Sequence, residues 1–196
     1  GGAGSAGLGA GAGRVDISIM NVIGFDASAL GNHEFDLGTS TIGGLLAPNF
    51  GAADGVADDG WVGTQFPYLS ANLDFSGDSS LRGLYTDELL TSDAFATGPE
   101  QSASSTTAPK IAPATLIEVT DPETGIVETI GVVGATTPVL GTISSPGGVE
   151  MIGTDQNDMA ALAEVLQPVI DELIAQGVNK VVLVSHLQQI ALEEAL

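Results

Sequence analysis

Between Thr154 and Leu196 the chain runs through a long amphipathic helical pattern, a glycine stop, a continuous apolar run of strand length and a second helical pattern over Leu187 to Leu196. This succession constrains the fold more than any other feature. A β-branched run such as Lys180 to Ser185 is costly to expose on either side, so it predicts a strand covered on both faces. The helical patterns before and after it can supply that cover, which is the rhythm of an α/β protein. In the first helix Ala161, Leu162, Val165, Leu166, Val169, Ile170, Leu173 and Ile174 share one face. Thr154 or Asp155 can cap its start and Gly177 its end. Pro168 predicts a kink or a new segment.

The clearest local unit is a hairpin. Ala114 to Thr120 and Ile126 to Val133 are β-rich and are separated by Asp121-Pro122-Glu123-Thr124-Gly125, whose proline and glycine suit a turn. Upstream, Arg14 to Ile23 reads as a largely buried helix stopped by Gly24, followed by a strand from Phe25 to Leu30. A helix from Thr39 to Ala47 is stopped by Pro48, and Tyr68 to Ala71 reads as a second buried strand. Residues 48–65 have loop composition. Asp74 to Pro113 holds no sustained period and includes a Ser/Thr/Ala-rich stretch from Gln101 to Pro109, which predicts a long surface excursion.

Residues 1–13 contain seven Gly and four Ala without periodicity, so they read as a flexible stub ahead of one unit over 14–196. A literal G-x-G-x-x-G falls there (Gly2, Gly4, Gly7), but the dinucleotide fingerprint needs a strand before it and a single residue precedes Gly2. The chain does not open on Met, and it reads as an internal piece of a longer protein.

Charge and composition exclude several functions. Twenty-five acidic against four basic residues give a net charge of −21, which repels nucleic-acid phosphates and removes any basic nucleic-acid face. The same charge attracts divalent cations without defining a site. Absence of cysteine excludes disulfides, thiolate metal sites and a cysteine nucleophile. No apolar run approaches the roughly 18 residues of a membrane span.

Chemistry concentrates at two places. The chain has two histidines, His33 and His186. Each follows a strand-like run at its C-terminal end, the edge at which open α/β sheets bind ligands. Asn32 offers a hard carbonyl oxygen suited to a divalent cation, and His33 a nitrogen acid or base. Adjacent side chains diverge, so the two serve different tasks: with Asn32 toward a metal, His33 can face a substrate's leaving oxygen. Asp36, three residues on, can accept from the imidazole N–H, fixing the tautomer and favouring the charged ring. Glu34 reads as surface or supporting. Asp54, Asp58 and Asp59 lack calcium-loop spacing and read as a solvated acidic loop. Glu193 and Glu194 read as a solvated helix face, and Trp61 and Phe66 as core or loop anchors.

Gly31-Asn32-His33-Glu34-Phe35-Asp36 resembles the G-N-H-[DE] signature of calcineurin-like metallophosphoesterases, and with Phe35-Asp36 it is similar to their 5'-nucleotidase branch. Three further stretches resemble that branch in order along 14–196: Phe66 to Asn72, Ile130 to Pro138, and Val182 to His186. The resemblance implies an α/β fold, a metallophosphoesterase-type mixed β-sandwich flanked by helices and incomplete at both ends. It also implies two divalent metal ions, with Asn32 and His186 ligating the second. His33 would be the catalytic acid or transition-state stabiliser and Asp36 its orienting partner. Asn and His suit zinc, manganese, iron and cobalt alike.

The expected substrate is a small phosphate monoester, a nucleotide first and a sugar phosphate or general phosphatase substrate second. The expected setting is periplasmic, cell-surface or extracellular. The family's Asp-x-His and Gly-Asp metal segments have no counterpart before Gly31, where Asp16 falls inside a helical pattern. Its final Gly-His-x-His segment and nucleoside-stacking C-terminal domain have none after His186. The piece alone is therefore expected to be inactive. The competing reading is a non-catalytic, acidic, secreted binding module in which both histidines are structural.

Overall fold

A computed structural model describes residues 13–49, 60–97 and 108–196. The Gly2/Gly4/Gly7 pattern, Asp54, Asp58, Asp59 and residues 101–107 lie outside the described residues.

The elements follow in chain order. Helix α1 is Arg14–Ile23, strand β1 Ser28–Ala29, and a 3-10 turn over His33–Phe35 leads to α2, Thr39–Leu46. Strands β2 (Tyr68–Leu69) and β3 (Leu73–Asp74) precede a second 3-10 turn, Ser92–Phe95, and then β4, Ile111–Ala112. The hairpin strands are β5 (Ala114–Thr120) and β6 (Val127–Thr136). Helix α3 (Leu140–Ile143), β7 (Glu150–Met151), α4 (Met159–Ala175), β8 (Val181–His186) and α5 (Ile190–Glu193) complete the order.

Two three-stranded sheets form the body, one parallel in the order β1-β2-β4 and one mixed in the order β5-β6-β8; β3 and β7 pair antiparallel beside them. In the mixed sheet Ala114 lies opposite Val133 and Thr120 opposite Val127, as the turn chemistry predicts, while β8 runs parallel to β6 with His186 opposite Thr136. The two sheets are joined through the backbone of Gly134. Its carbonyl accepts from Ala71 N at 2.9 Å and its N–H donates to the Pro113 carbonyl at 3.1 Å. A Cβ at Gly134 would stand 2.3 Å from the carbonyl carbon and oxygen of Leu69, so no side chain fits there. Leu30 N donates to the Leu69 carbonyl at 3.0 Å, which brings the outgoing ends of β1, β2, β6 and β8 to one edge.

Helix α4 covers one face of the mixed sheet with Leu162, Leu166 and Leu173. It sits so close that a Cβ at Gly131 would stand 2.8 Å from Leu173 Cδ1. Its cap is Asp158, whose carboxylate accepts from Ala161 N at 3.1 Å, rather than Thr154 or Asp155. Pro168 lies inside the helix without ending it. Pro168 is exposed, so the carbonyl left without an N–H partner can bond to water, while the buried face holds the helix together.

The remaining departures concern burial. The sequence pattern places Asp74 to Pro113 on the surface, yet Phe75, Leu81, Leu84, Phe95, Lys110 and Ile111 are all buried. Irregular backbone can enter a core when its polar groups find partners, and here Lys110 supplies them. Its Nζ donates to the carbonyls of Thr64 at 2.7 Å and Phe95 at 2.5 Å and to Thr97 Oγ1 at 2.9 Å. Trp61 and Phe66 are core residues, and Trp61 Nε1 donates to the Leu45 carbonyl at 3.0 Å.

Helix α1, by contrast, buries only Arg14 and Ile17, and Val22 is 89% exposed. Strand β8 is exposed at Val181, Val182 and Leu183 rather than covered on both faces, because among the described residues it is an edge strand with β6 as its one neighbour. The strand expected over Phe25 to Leu30 pairs only at Ser28 and Ala29, and the last helix is one turn, Ile190–Glu193.

Candidate metal and acid-base site

The converging strand ends are locked before any functional group is added. Thr136 Oγ1 donates to the Leu30 carbonyl at 2.7 Å and lies 2.9 Å from Ser70 Oγ. Asn72 closes the set with Nδ2 donating to the Thr136 carbonyl at 2.8 Å and Oδ1 accepting from Thr136 N at 2.9 Å. Ser70, Asn72 and Thr136 are fully buried. A satisfied polar network in a low-dielectric edge is stiff. Sequence reading did not assign these residues, although Asn72 and Thr136 lie in stretches that carry the family resemblance.

From this base β1 passes into Gly31 and Asn32. Glu34 Oε2 accepts from Gly31 N at 2.8 Å, so its role is to close the turn. A Cβ at Gly31 would stand 3.0 Å from Cγ and Cδ2 of His186; the glycine lets the imidazole of a strand far along the chain approach the backbone. Asn32 is buried, and its Oδ1 lies 2.9 Å from His186 Nε2. The structure therefore brings together the two residues expected as metal ligands.

Two donors each about 2.1 Å from one cation and at right angles to one another stand about 3.0 Å apart, so a carbonyl oxygen and an imidazole nitrogen at 2.9 Å fit one edge of a divalent site. Four or more donors are wanted. Among the described residues no group of three or more His, Cys, Asp and Glu side chains could hold an ion, so the pair by itself does not complete a metal site.

His186 is held from behind. Glu193 Oε1 accepts from Leu187 N at 2.8 Å, and Glu193 Oε2 accepts from Ser185 Oγ. The carboxylate thus grips both neighbours of the histidine, which corrects the expectation of a solvated glutamate. The turn between them is tight enough to put Gln188 at φ 69°.

His33 begins the 3-10 turn, and its side chain is exposed where that of Asn32 is buried. Its Nδ1 lies 2.7 Å from Asp36 Oδ2, and the side chains are 75% and 45% exposed. The hydrogen bond and charge of Asp36 raise the imidazole above its ordinary value of 6.5. The same bond, with a second from Ser144, lowers the Asp36 carboxyl. Ser144 Oγ donates to Asp36 Oδ1 at 2.9 Å; nothing in the sequence pointed to it, since 108 residues separate the pair.

Beside His33 a cavity of about 340 Å³ opens between α1 and α2, lined mainly by apolar side chains such as Ile17, Met20, Leu37 and Ile42. Asp16 and Glu34 also line it, and their negative charges make it a poor seat for a phosphate.

No family model matches the chain. Among curated proteins it is 28% identical over 179 residues to the trifunctional nucleotide phosphoesterase protein YfkN of Bacillus subtilis, covering 89% of this chain and 10% of that protein. It is 30% identical over 169 residues to the 5'-nucleotidase of Diplobatis ommata, covering 85% of this chain and 20% of the relative. Among solved structures, the 5'-nucleotidase precursor from Thermus thermophilus superposes with a TM-score of 0.55 at 27% identity, over 93% of this chain and 25% of that one. The chain thus spans a quarter or less of the length of these proteins. The order of its motifs, the fold and these likenesses agree in relating the chain, over nearly its whole length, to 5'-nucleotidases and nucleotide phosphoesterases, the branch that its sequence resembles.

Proposed function

We propose that this chain is the part of a phosphoesterase catalytic domain, over residues 14–196, that carries one edge of a dinuclear divalent-metal site together with the acid that serves the leaving group. We take the substrate to be a phosphate monoester, specifically a nucleotide. The observation that carries this reading is the meeting of Asn32 with His186 at 2.9 Å while the adjacent His33 stays free to point outward. A structural role for both histidines accounts for the Asn32–His186 contact as a hydrogen bond, but not for its place beside an exposed His33–Asp36 pair in the order that the family resemblance sets.

In this reading Asn32 and His186 would hold one cation between them. When bound, the metal ions neutralise the phosphoryl oxygens and acidify a water for attack. His33 supports the departing oxygen. With Nδ1 engaged by Asp36, Nε2 is the nitrogen left to carry a proton outward when the ring is charged, and the hydrogen bond and charge of Asp36 favour that charged form. Asp36 holds the ring's tautomer and orientation. Glu193 and the buried Thr136, Ser70 and Asn72 set keep the two strand ends at their spacing. No side chain needs to form a covalent bond to phosphorus.

The nucleotide choice rests on the relatives' names, the Diplobatis ommata protein being a 5'-nucleotidase. The proposed setting outside the cytoplasm rests on the family resemblance and on the acidity of the chain. No helix among the described residues is long and apolar enough to cross a membrane.

The test uses the longest polypeptide that contains this sequence. His33→Ala should cut turnover by about 10² to 10⁴ with metal content nearly intact, whereas Asn32→Ala should lower metal content itself. Equal loss of metal in both would refute the division of labour. Comparing a nucleoside monophosphate with p-nitrophenyl phosphate separates a nucleotidase from a general phosphatase.

A further inference from the structure

Asp36 is nearly half exposed, and a carboxylate in that position, bonded through one oxygen only, turns freely about its side-chain torsions. Here both oxygens are engaged: Oδ2 with His33 Nδ1 at 2.7 Å and Oδ1 with the Ser144 hydroxyl at 2.9 Å. Two bonds from opposite sides define the plane of the carboxylate and, through it, the plane of the imidazole.

Ser144 is not carried on a loose loop. It follows α3, whose first residue Leu140 is fully buried, and its own N–H donates to the Leu140 carbonyl at 3.0 Å. Beyond it, Gly147 has φ 62°, and Gly148 lies so close to the opposing backbone that a Cβ would stand 2.5 Å from the Gly77 carbonyl oxygen. Gly148 N donates to Asp78 Oδ2 at 3.1 Å. Asp78 is itself buried and takes Ser80 N at 2.8 Å and Leu81 N at 3.0 Å on its other oxygen. The 140–148 segment is thus an arm pinned at both ends, with Ser144 between the pins.

We infer that Ser144 is a positioning residue for the His33–Asp36 pair, holding the Asp36 carboxylate in the rotamer that fixes the imidazole with Nδ1 inward and Nε2 toward the substrate's leaving oxygen. The catalytic consequence rests on the function proposed above; the geometric one does not. Asp78 acts one step further back, as the latch that keeps the arm in place.

The test has two arms. Histidine labelled with ¹⁵N gives two imidazoles in this chain, His33 and His186, and His33→Gln identifies which is which. At an alkaline pH where the His33 ring is neutral, the wild-type His33 should show the Nδ1–H tautomer. Ser144→Ala should move it toward a mixture, and Ser144→Thr, which keeps the hydroxyl, should restore it. In the longest polypeptide containing this sequence, Ser144→Ala should lower kcat about 3- to 10-fold, the effect of one hydrogen bond, with KM and metal content within about two-fold. An unchanged tautomer with unchanged kcat would overturn the inference and leave Ser144 as an ordinary surface hydroxyl. A shifted tautomer in Ser144→Ala with hydrolysis unaffected in both it and His33→Ala would uphold the positioning and refute the proposed acid.

Discussion

Lys110 offers the sharpest energetic test of how this chain packs. Its side chain is 0% exposed, and its three N–H bonds are all taken by neutral oxygens, those of Thr64, Phe95 and Thr97. Burial without a carboxylate pushes the ammonium down from 10.5 to about 8. The gap between those values, at about 1.4 kcal/mol per pH unit, corresponds to about 3 kcal/mol of stability withheld near neutral pH. The sign is set by the lowered value: the unfolded chain binds the proton more tightly, so stability rises with pH between about 8 and 10.5. Linkage over that interval gives a gain of about 2 kcal/mol from about pH 7 to about pH 9.5.

Lys110→Met keeps the length of the side chain and removes the titration, at the cost of two carbonyls and a hydroxyl losing a donor. Urea unfolding of both proteins at a series of pH values from about 7 to about 9.5 isolates the contribution, because every other titrating group is common to both. The difference in stability, wild type minus variant, should grow by about 2 kcal/mol across the series. A difference that stays flat would refute the assignment of a desolvated ammonium, and one that falls would mean the lysine is paired with a negative charge.

Gly134→Ala would place a methyl 2.3 Å from the Leu69 backbone, and neither sheet can yield there without breaking the bonds that join them; urea unfolding should show a loss of about 3 kcal/mol. Asp158→Ala removes the cap of α4 and should cost about 1 kcal/mol in the same assay. Asp36→Asn should bring the His33 midpoint, followed by NMR, down toward its ordinary 6.5. The pair's contribution to stability should be complete between the carboxyl's ordinary 3.8 and the imidazole's ordinary 6.5. It should fade as pH falls through the lowered Asp36 value or rises through the raised His33 value.

Local patterns determined a good deal by themselves. The Asp121 to Gly125 turn and its flanking runs settle the β5–β6 register, since the side-chain period of two leaves one face to bury. The α4 stripe predicts Leu162, Leu166 and Leu173 on the core side, where they lie. The three-residue spacing of His33 and Asp36 predicts their bond, because a single tight turn brings such a pair together.

Only the tertiary structure decided the rest. Ser144 reaches Asp36 across 108 residues and Asn32 meets His186 across 154. The first contact leaves no periodic trace in the chain, and the second was legible only through a family resemblance. Lys110 turns an aperiodic stretch into core by satisfying carbonyls from separate segments, something composition cannot reveal. The exposed α1 and β8 have the opposite origin: an apolar run records that a surface prefers cover, while the cover itself depends on which other elements pack against it.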